Sequence, residues 1–180
     1  RLIQKYHMAH NLGDKIIISG SPIEVRYPGP AIVLDTCGNL KGAWALVRGI
    51  EYNINSDEAM YDLPAMRKEA VPSEIFEEKT RKNLQAFLQI PENQSQDLFD
   101  LSDRLAGLDE NWFTQAEKIC KYMRKTYKYT LDPKAKGNSK NSVDRFLFET
   151  QTGDCKDFAS AFVLLCRASG IPARMTMGYG

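Results

Sequence analysis

The stretch that decides the fold is Gln151-Thr-Gly-Asp-Cys-Lys-Asp-Phe-Ala-Ser-Ala-Phe-Val-Leu-Leu-Cys-Arg-Ala-Ser-Gly-Ile-Pro172, because it contains the signals for one complete helix and for both of its ends. Asp154 is a natural N-cap, and Asp157 places a second carboxylate in the first turn. Gly170 supplies the left-handed position after the helix, and Pro172 prevents a restart. Three- and four-residue spacing predicts one buried stripe, made of Phe158, Ala161, Phe162, Leu165 and Ser169. The alternating residues that follow Pro172 predict a strand.

Cys155 is the candidate functional residue, since it falls in the first turn of this helix. The thiolate is the reactive form of cysteine, and a free thiol with a pKa near ~8.5 is mostly protonated at neutral pH. Unpaired N–H groups and the helix dipole stabilise negative charge at this position by roughly 0.3–1 kcal/mol, so a basic partner, normally histidine, must complete the activation. The backbone N–H of Cys155 is a candidate oxyanion donor. The alternative interpretation is an ordinary buried cysteine.

The same stretch resembles the nucleophile helix of the transglutaminase-like superfamily, whose papain-like core carries a cysteine, a histidine and an aspartate in that order. Upstream, the segments 84–91, 116–126, 127–133 and 143–150 follow one another as in the bacterial TgpA-like branch of that superfamily. One departure is the pair Lys156-Asp157 after the cysteine, where this branch often has Glu-His.

The resemblance implies an α+β fold: the front half of a papain-like transglutaminase core, with the nucleophile helix followed by a strand, preceded by a small N-terminal β unit. It also implies that Cys155 is the nucleophile and that Gly153, Asp154 and Asp157 support its helix. The implied activity is thiol-dependent acyl transfer or hydrolysis on glutamine or peptide amides, through a thioester at Cys155. A catalytically inactive module that keeps the fold to bind protein or cell-wall partners is the alternative.

The implied surroundings are a protein or peptide substrate, no metal ion, no organic cofactor and no nucleic acid. The implied location is extracytoplasmic, with a membrane tether outside this sequence. Neither the substrate nor the oligomeric state is readable from the residues.

The histidine and aspartate expected after Cys155 are not among these residues, because the two histidines are His7 and His10. Either the sequence ends before the partner residues, or the protein has lost its triad. We favour the first interpretation, because the chain begins with Arg1 and ends within a strand-like run. His7 and His10 belong to an N-terminal peptide, which is a poor place to hold a base rigidly.

Three regions are predicted along the chain. Short β-type runs separated by Gly and Pro turns predict a β-rich unit over 1–55; they begin at Lys15, Ile23, Ala31, Ala43 and Glu51. Residues 56–72 form a polar connection, and 73–180 form the transglutaminase-like domain. Helices are predicted over 73–88, 96–108 and 111–127. The third is expected to point Phe113, Ala116, Cys120 and either Met123 or Tyr127 inward.

The composition of the chain argues against several classes of function. With 180 residues, 43% of them hydrophobic, the chain can bury a sizeable core. A net charge of +1 argues against strong attraction to nucleic acid or anionic membranes. No run approaches the ~18 apolar residues of a membrane span. The lysine-rich stretch 118–140 is interpreted as a solvated helix face and loop rather than a nucleic-acid site. The loop over residues 132–142, which contains Lys134, Lys136 and Lys140, is predicted to border the substrate cleft.

The remaining cysteines and the tryptophans are given structural roles. Cys37, Cys120 and Cys166 lack the paired spacing of a zinc site. Cys120 and Cys166 are predicted to be small buried hydrophobes, and a disulfide at Cys37 stays open. Trp44 and Trp112 are predicted to be buried aromatics rather than substrate contacts.

Overall fold

The structure is a computed structural model that describes residues 1–35, 39–68, 78–107, 111–132 and 141–176. It divides into two compact units, the first ending at Tyr61 and the second beginning at Asp62. Cys37 and the loop lysines 134, 136 and 140 lie outside the described residues.

The first unit consists of six strands in two antiparallel three-stranded sheets. The strands are β1 (Leu2–His7), β2 (Gly13–Ile16), β3 (Ser21–Arg26), β4 (Ile32–Leu34), β5 (Leu40–Leu46) and β6 (Glu51–Asp57). One sheet has the order β1-β6-β3 and the other β2-β5-β4. Five of these strands were predicted from the β-type runs. Strand β1 was not predicted, because the polar Gln4 occupies one of its inward-facing positions and the strand therefore lacks a regular hydrophobic alternation.

A buried cluster holds the first unit together. Tyr52 and Ile54 on β6 and Leu46 on β5 have almost no exposed surface. The Tyr52 hydroxyl donates to the Ile17 carbonyl at 3.0 Å and accepts from the Ile17 N–H at 3.1 Å, so its polar end is satisfied. Trp44, predicted to be buried, is 58% exposed, and that prediction is wrong: the indole lies outside this cluster, while its backbone N–H bonds the Tyr27 hydroxyl.

The second unit is mainly helical. Its helices are α1 (Leu63–Met66), α2 (Glu78–Leu84), α3 (Gln96–Ala106), α4 (Trp112–Thr126), α5 (Ser142–Asp144) and α6 (Cys155–Ala168). Gln85–Phe87 forms a 3₁₀ turn and Arg145–Thr150 a π-helical turn. Two short parallel strands, β7 (Lys128–Tyr129) and β8 (Thr152–Gly153), pair with each other. The chain is therefore α+β, as predicted.

The core of the second unit forms where α3, α4 and α6 pack together. Leu98, Ile119 and Leu165 contribute one fully buried side chain from each helix. The predicted inward position of Cys120 is wrong, because that residue is exposed. The buried residues of α4 are Gln115, Ile119 and Met123. The first two each lie one position before a residue that was predicted to be buried, and the polar Gln115 hid this pattern in the sequence.

The strand predicted after Pro172 is not found in the described residues up to Thr176. The backbone groups of Ala173 bond elsewhere: its N–H donates to the Phe87 carbonyl at 3.0 Å, and its carbonyl accepts from Arg167. A strand needs a hydrogen-bonded neighbour, and here those groups tie the chain to the 3₁₀ turn instead. Trp112 is half-buried against the core, in keeping with its predicted structural role.

Candidate active site

Cys155 is the first residue of α6, and its side chain is exposed. Cys120 on α4 is exposed as well, whereas Cys166 near the end of α6 is buried and burial raises the pKa of its thiol to about 12. Among the cysteines that the structure describes, two thiols are therefore accessible, and one of them lies at a helix start.

A reciprocal capping box closes the start of α6. Asp154 Oδ1 accepts hydrogen bonds from the N–H groups of Lys156 at 2.7 Å and Asp157 at 3.2 Å. In return, the N–H of Asp154 donates to Asp157 Oδ2 at 3.0 Å. The sequence predicted both carboxylates in the first turn, and the structure adds the bond that joins them.

The capping box leaves the N–H of Cys155 unused. The N–H of Phe158 donates to the Asp154 carbonyl at 3.1 Å, while those of Lys156 and Asp157 go to the Asp154 side chain. Within the part of the chain that the structure describes, no residue accepts from the N–H of Cys155. A donor of this kind beside a thiol is what an oxyanion needs.

Gly153 is required by close approach rather than by backbone conformation. A Cβ at this position would lie 2.5 Å from Asp157 Oδ2, 2.7 Å from Asp157 Cβ and 2.9 Å from Asp157 Cγ. The Asp157 carboxylate thus occupies the space that a side chain at Gly153 would fill. The Gly-Asp-Cys-x-Asp segment can therefore adopt this packing only with glycine at position 153.

The short β7–β8 ladder fixes the segment before Cys155. The N–H of Lys128 donates to the Gln151 carbonyl and the N–H of Thr130 to the Gly153 carbonyl, each at 2.9 Å. Gln151 adopts a left-handed conformation with φ 52°, and its N–H closes the π-helical turn on the Phe146 carbonyl at 3.0 Å. This pairing was not predicted, because two-residue strands are too short to show a hydrophobic period.

Aromatic rings support the first turn of α6. Phe158, one turn after Cys155, lies 5.0 Å from the Phe146 ring and 6.1 Å from the Tyr129 ring between centroids. Tyr129 is 53% exposed, so it borders the open side of this turn. Burial raises the pKa of the neighbouring Tyr127, which keeps that phenol neutral.

Arg167 anchors the far end of α6. Its Nε donates to the Ala173 carbonyl at 2.8 Å and its Nη1 to the Gln89 carbonyl at 2.6 Å. Gly170 follows the helix with φ 76°, the left-handed position expected from the sequence. The capping box therefore holds the start of α6, and the hydrogen bonds of Arg167 hold its end.

No imidazole is available in the second unit, since His7 and His10 both belong to the first. His7 Nδ1 lies 3.3 Å from Glu51 Oε1 within that first unit. Among the described residues, no cluster of three His, Cys, Asp or Glu side chains could hold a metal ion. Over the same residues, no helix is long and apolar enough to span a membrane.

Comparison with known proteins identifies the same superfamily that the sequence around Cys155 resembles. Residues 100–180 match the family model of the transglutaminase-like superfamily. The uncharacterized protein YebA of Bacillus subtilis is 32% identical over 137 residues, which cover 71% of this chain and 17% of YebA. A protein-glutamine gamma-glutamyltransferase of Pseudomonas aeruginosa is 42% identical over 64 residues, or 36% of this chain and 9% of that protein. The chain thus spans less than a fifth of the curated relatives it matches.

Solved structures agree on the fold. The crystal structure of the periplasmic domain of TgpA from Pseudomonas aeruginosa matches with a TM-score of 0.56 and 22% identity, over 86% of this chain and 50% of that one. The same domain bound to ethylmercury matches with a TM-score of 0.52 and 21% identity, over 94% of this chain and 59% of that one. The chain belongs to the transglutaminase-like superfamily, in its TgpA-like branch.

Proposed function

We propose that Cys155 is the nucleophile of a thiol-dependent acyl-transfer site acting on glutamine or peptide amides. The thiolate attacks the amide carbonyl carbon, and the oxyanion that forms is held by the N–H of Cys155. Collapse of this intermediate breaks the C–N bond, releases ammonia or an amine carrying the transferred proton, and leaves a thioester. Water or a lysine amine then resolves the thioester and restores the thiol.

The observation that carries this proposal is an exposed thiol at a capped helix start, beside an N–H that no described residue uses. Membership in the transglutaminase-like superfamily supports the same chemistry. The similar Pseudomonas aeruginosa protein is named as a protein-glutamine gamma-glutamyltransferase, which favours glutamine as the acyl donor.

Activation of Cys155 needs a base that the second unit does not contain. A helix start by itself stabilises an anion only modestly, by roughly 0.3–1 kcal/mol, and the Asp154 and Asp157 carboxylates lie at the same helix end. The proposal therefore takes the histidine and its carboxylate partner from protein outside these 180 residues. It also takes the location to be extracytoplasmic, since the similar TgpA structure is a periplasmic domain.

The test compares the acyl-transfer activity of the full-length protein with that of variants in which a single cysteine is replaced. Incorporation of a fluorescent primary amine into a glutamine-containing protein is measured for the parent, Cys155→Ser and Cys120→Ser. Cys120 is the matched control because both thiols are exposed. Loss of incorporation, or of the competing deamidation, in Cys155→Ser alone is the expected result.

Alkylation of the parent protein distinguishes the inactive alternative. Iodoacetamide labelling at pH 7, followed by mass spectrometry of the peptides, reports each cysteine separately. An activated Cys155 reacts more than about tenfold faster than Cys120, and Cys166 reacts only on unfolding. Equal rates at Cys155 and Cys120, with no turnover on any glutamine substrate, would instead identify a binding module that has lost its chemistry.

A further inference from the structure

One face of α4 carries an uninterrupted group of cations. Lys121, Arg124 and Lys125 are all exposed, and their three- and four-residue spacing places them on one side of the helix. That side is opposite the buried line of α4. Lys128, on β7, is exposed two residues after α4 ends. We call these four residues the α4 basic face.

The single acid of α4 does not neutralise this face. Glu117 accepts from Arg67 Nη2 at 2.8 Å and Nε at 3.0 Å, and this pairing lowers the pKa of its carboxyl. Lys121 Nζ is 3.9 Å from the same carboxylate, beyond hydrogen-bond distance. Glu117 is thus shared between a close pair with Arg67 and a longer i,i+4 ion pair with Lys121, and one carboxylate does not offset the cations of the face.

The α4 basic face runs toward the thiol. Lys128 is in register with Thr152, three residues before Cys155. Lys156, directly after Cys155, adds another exposed cation. A negatively charged segment bound along α4 would therefore end beside Lys128 and place the residues that follow it near the segment before Cys155.

The surface of α4 favours a polypeptide over the other polyanions. Membrane-surface helices insert large apolar side chains, and no large hydrophobic side chain of α4 is exposed. Single-stranded nucleic acids stack successive bases on several open aromatic rings. Here Tyr127 is buried and Tyr122 packs edge-on against it, so the exposed ring of Tyr129, beside Lys128, offers a single stacking surface. An acidic peptide needs only charge and hydrogen bonds from flexible lysines.

We propose that the α4 basic face binds acidic polypeptide segments and so directs Cys155 toward glutamines flanked by carboxylates. This inference rests on the proposed function and names its substrate class. Binding does not need the thiol chemistry, so the two ideas can fail separately.

The experiment is fluorescence anisotropy of a labelled peptide in which one glutamine is flanked by two glutamates on each side. The matched neutral peptide carries glutamines in place of the glutamates. The variant combines Lys121→Gln, Arg124→Gln and Lys125→Gln. The control removes the same charge from exposed lysines elsewhere, as Lys15→Gln, Lys68→Gln and Lys82→Gln.

The parent is expected to bind the acidic peptide more tightly than the neutral one, and less tightly as salt rises from about 50 to 300 mM. Three exposed ion pairs correspond to a loss of about tenfold in the variant, with little change in the control. Equal binding of both peptides, or equal losses in variant and control, would overturn the inference.

Two further measurements complete the test. Arg124 and Lys125 lie in the last turn of α4, where cations also stabilise a helix end. A lowered melting temperature in the variant with unchanged peptide affinity would reduce the face to that structural role. Tighter binding of anionic vesicles or single-stranded DNA than of the acidic peptide, lost in the same variant, would assign a different partner. If Cys155 proves inert while the acidic peptide still binds through this face, the proposed chemistry fails and the docking surface stands.

Discussion

Replacing Gly153 with alanine is expected to destabilise the second unit more than removing the Asp157 carboxylate itself. Asp157→Ala loses the hydrogen bond from the Asp154 N–H and half of the capping box, a cost of about 1–2 kcal/mol. Gly153→Ala displaces the same carboxylate and also places a Cβ 2.7 Å from the Asp157 Cβ. The added overlap costs about 1–3 kcal/mol, so the two costs together come to about 2–5 kcal/mol.

Urea denaturation of a Trp44→Phe background reports the second unit alone, because Trp112 is then the remaining tryptophan. With an m-value of about 2 kcal/mol/M, the middle of the usual range for a small domain, the midpoint of Gly153→Ala should fall by about 1–2.5 M. Lys156→Ala is the local control, since its exposed side chain should change stability by less than about 0.5 kcal/mol. A Gly153→Ala variant no less stable than Asp157→Ala would refute the reasoning, because the close approach would then carry no energy.

Two other expectations follow from the contacts. Burial raises the pKa of Tyr52 to about 12, whereas an unfolded tyrosine ionises near pH ~10, so the first unit should lose stability as pH rises from about 10 to 12. Urea titrations at about pH 9 and 11, read by Trp44 fluorescence, check this, and Tyr52→Phe should flatten the difference. Arg167→Lys cannot reach both the Gln89 and Ala173 carbonyls, so it should cost about 1–3 kcal/mol, while a cost near zero would mean that these bonds do not hold the end of α6.

The sequence by itself determined the helix that carries the thiol. Asp154, Asp157 and Gly170 act through backbone groups within a few residues of themselves, so their roles can be read from spacing alone. The α+β class and the superfamily were readable for the same reason, because they rest on this local pattern. The strand predicted after Pro172 is absent from the described residues up to Thr176, since a strand depends on a partner that lies elsewhere in the chain.

Only the tertiary structure decided how the nucleophile segment is held and which thiols are accessible. The β7–β8 ladder brings residues 128–130 against 151–153, a pairing between distant segments that no local pattern encodes. Cys120 is exposed because the buried side of α4 carries Gln115 and Ile119, and Cys120 lies on a different side of the helix. Gly153 could be recognised as a turn residue, but its necessity lies in the Asp157 carboxylate that folds back over it. Local chemistry therefore set the ends of the helix, and long-range packing set what surrounds Cys155.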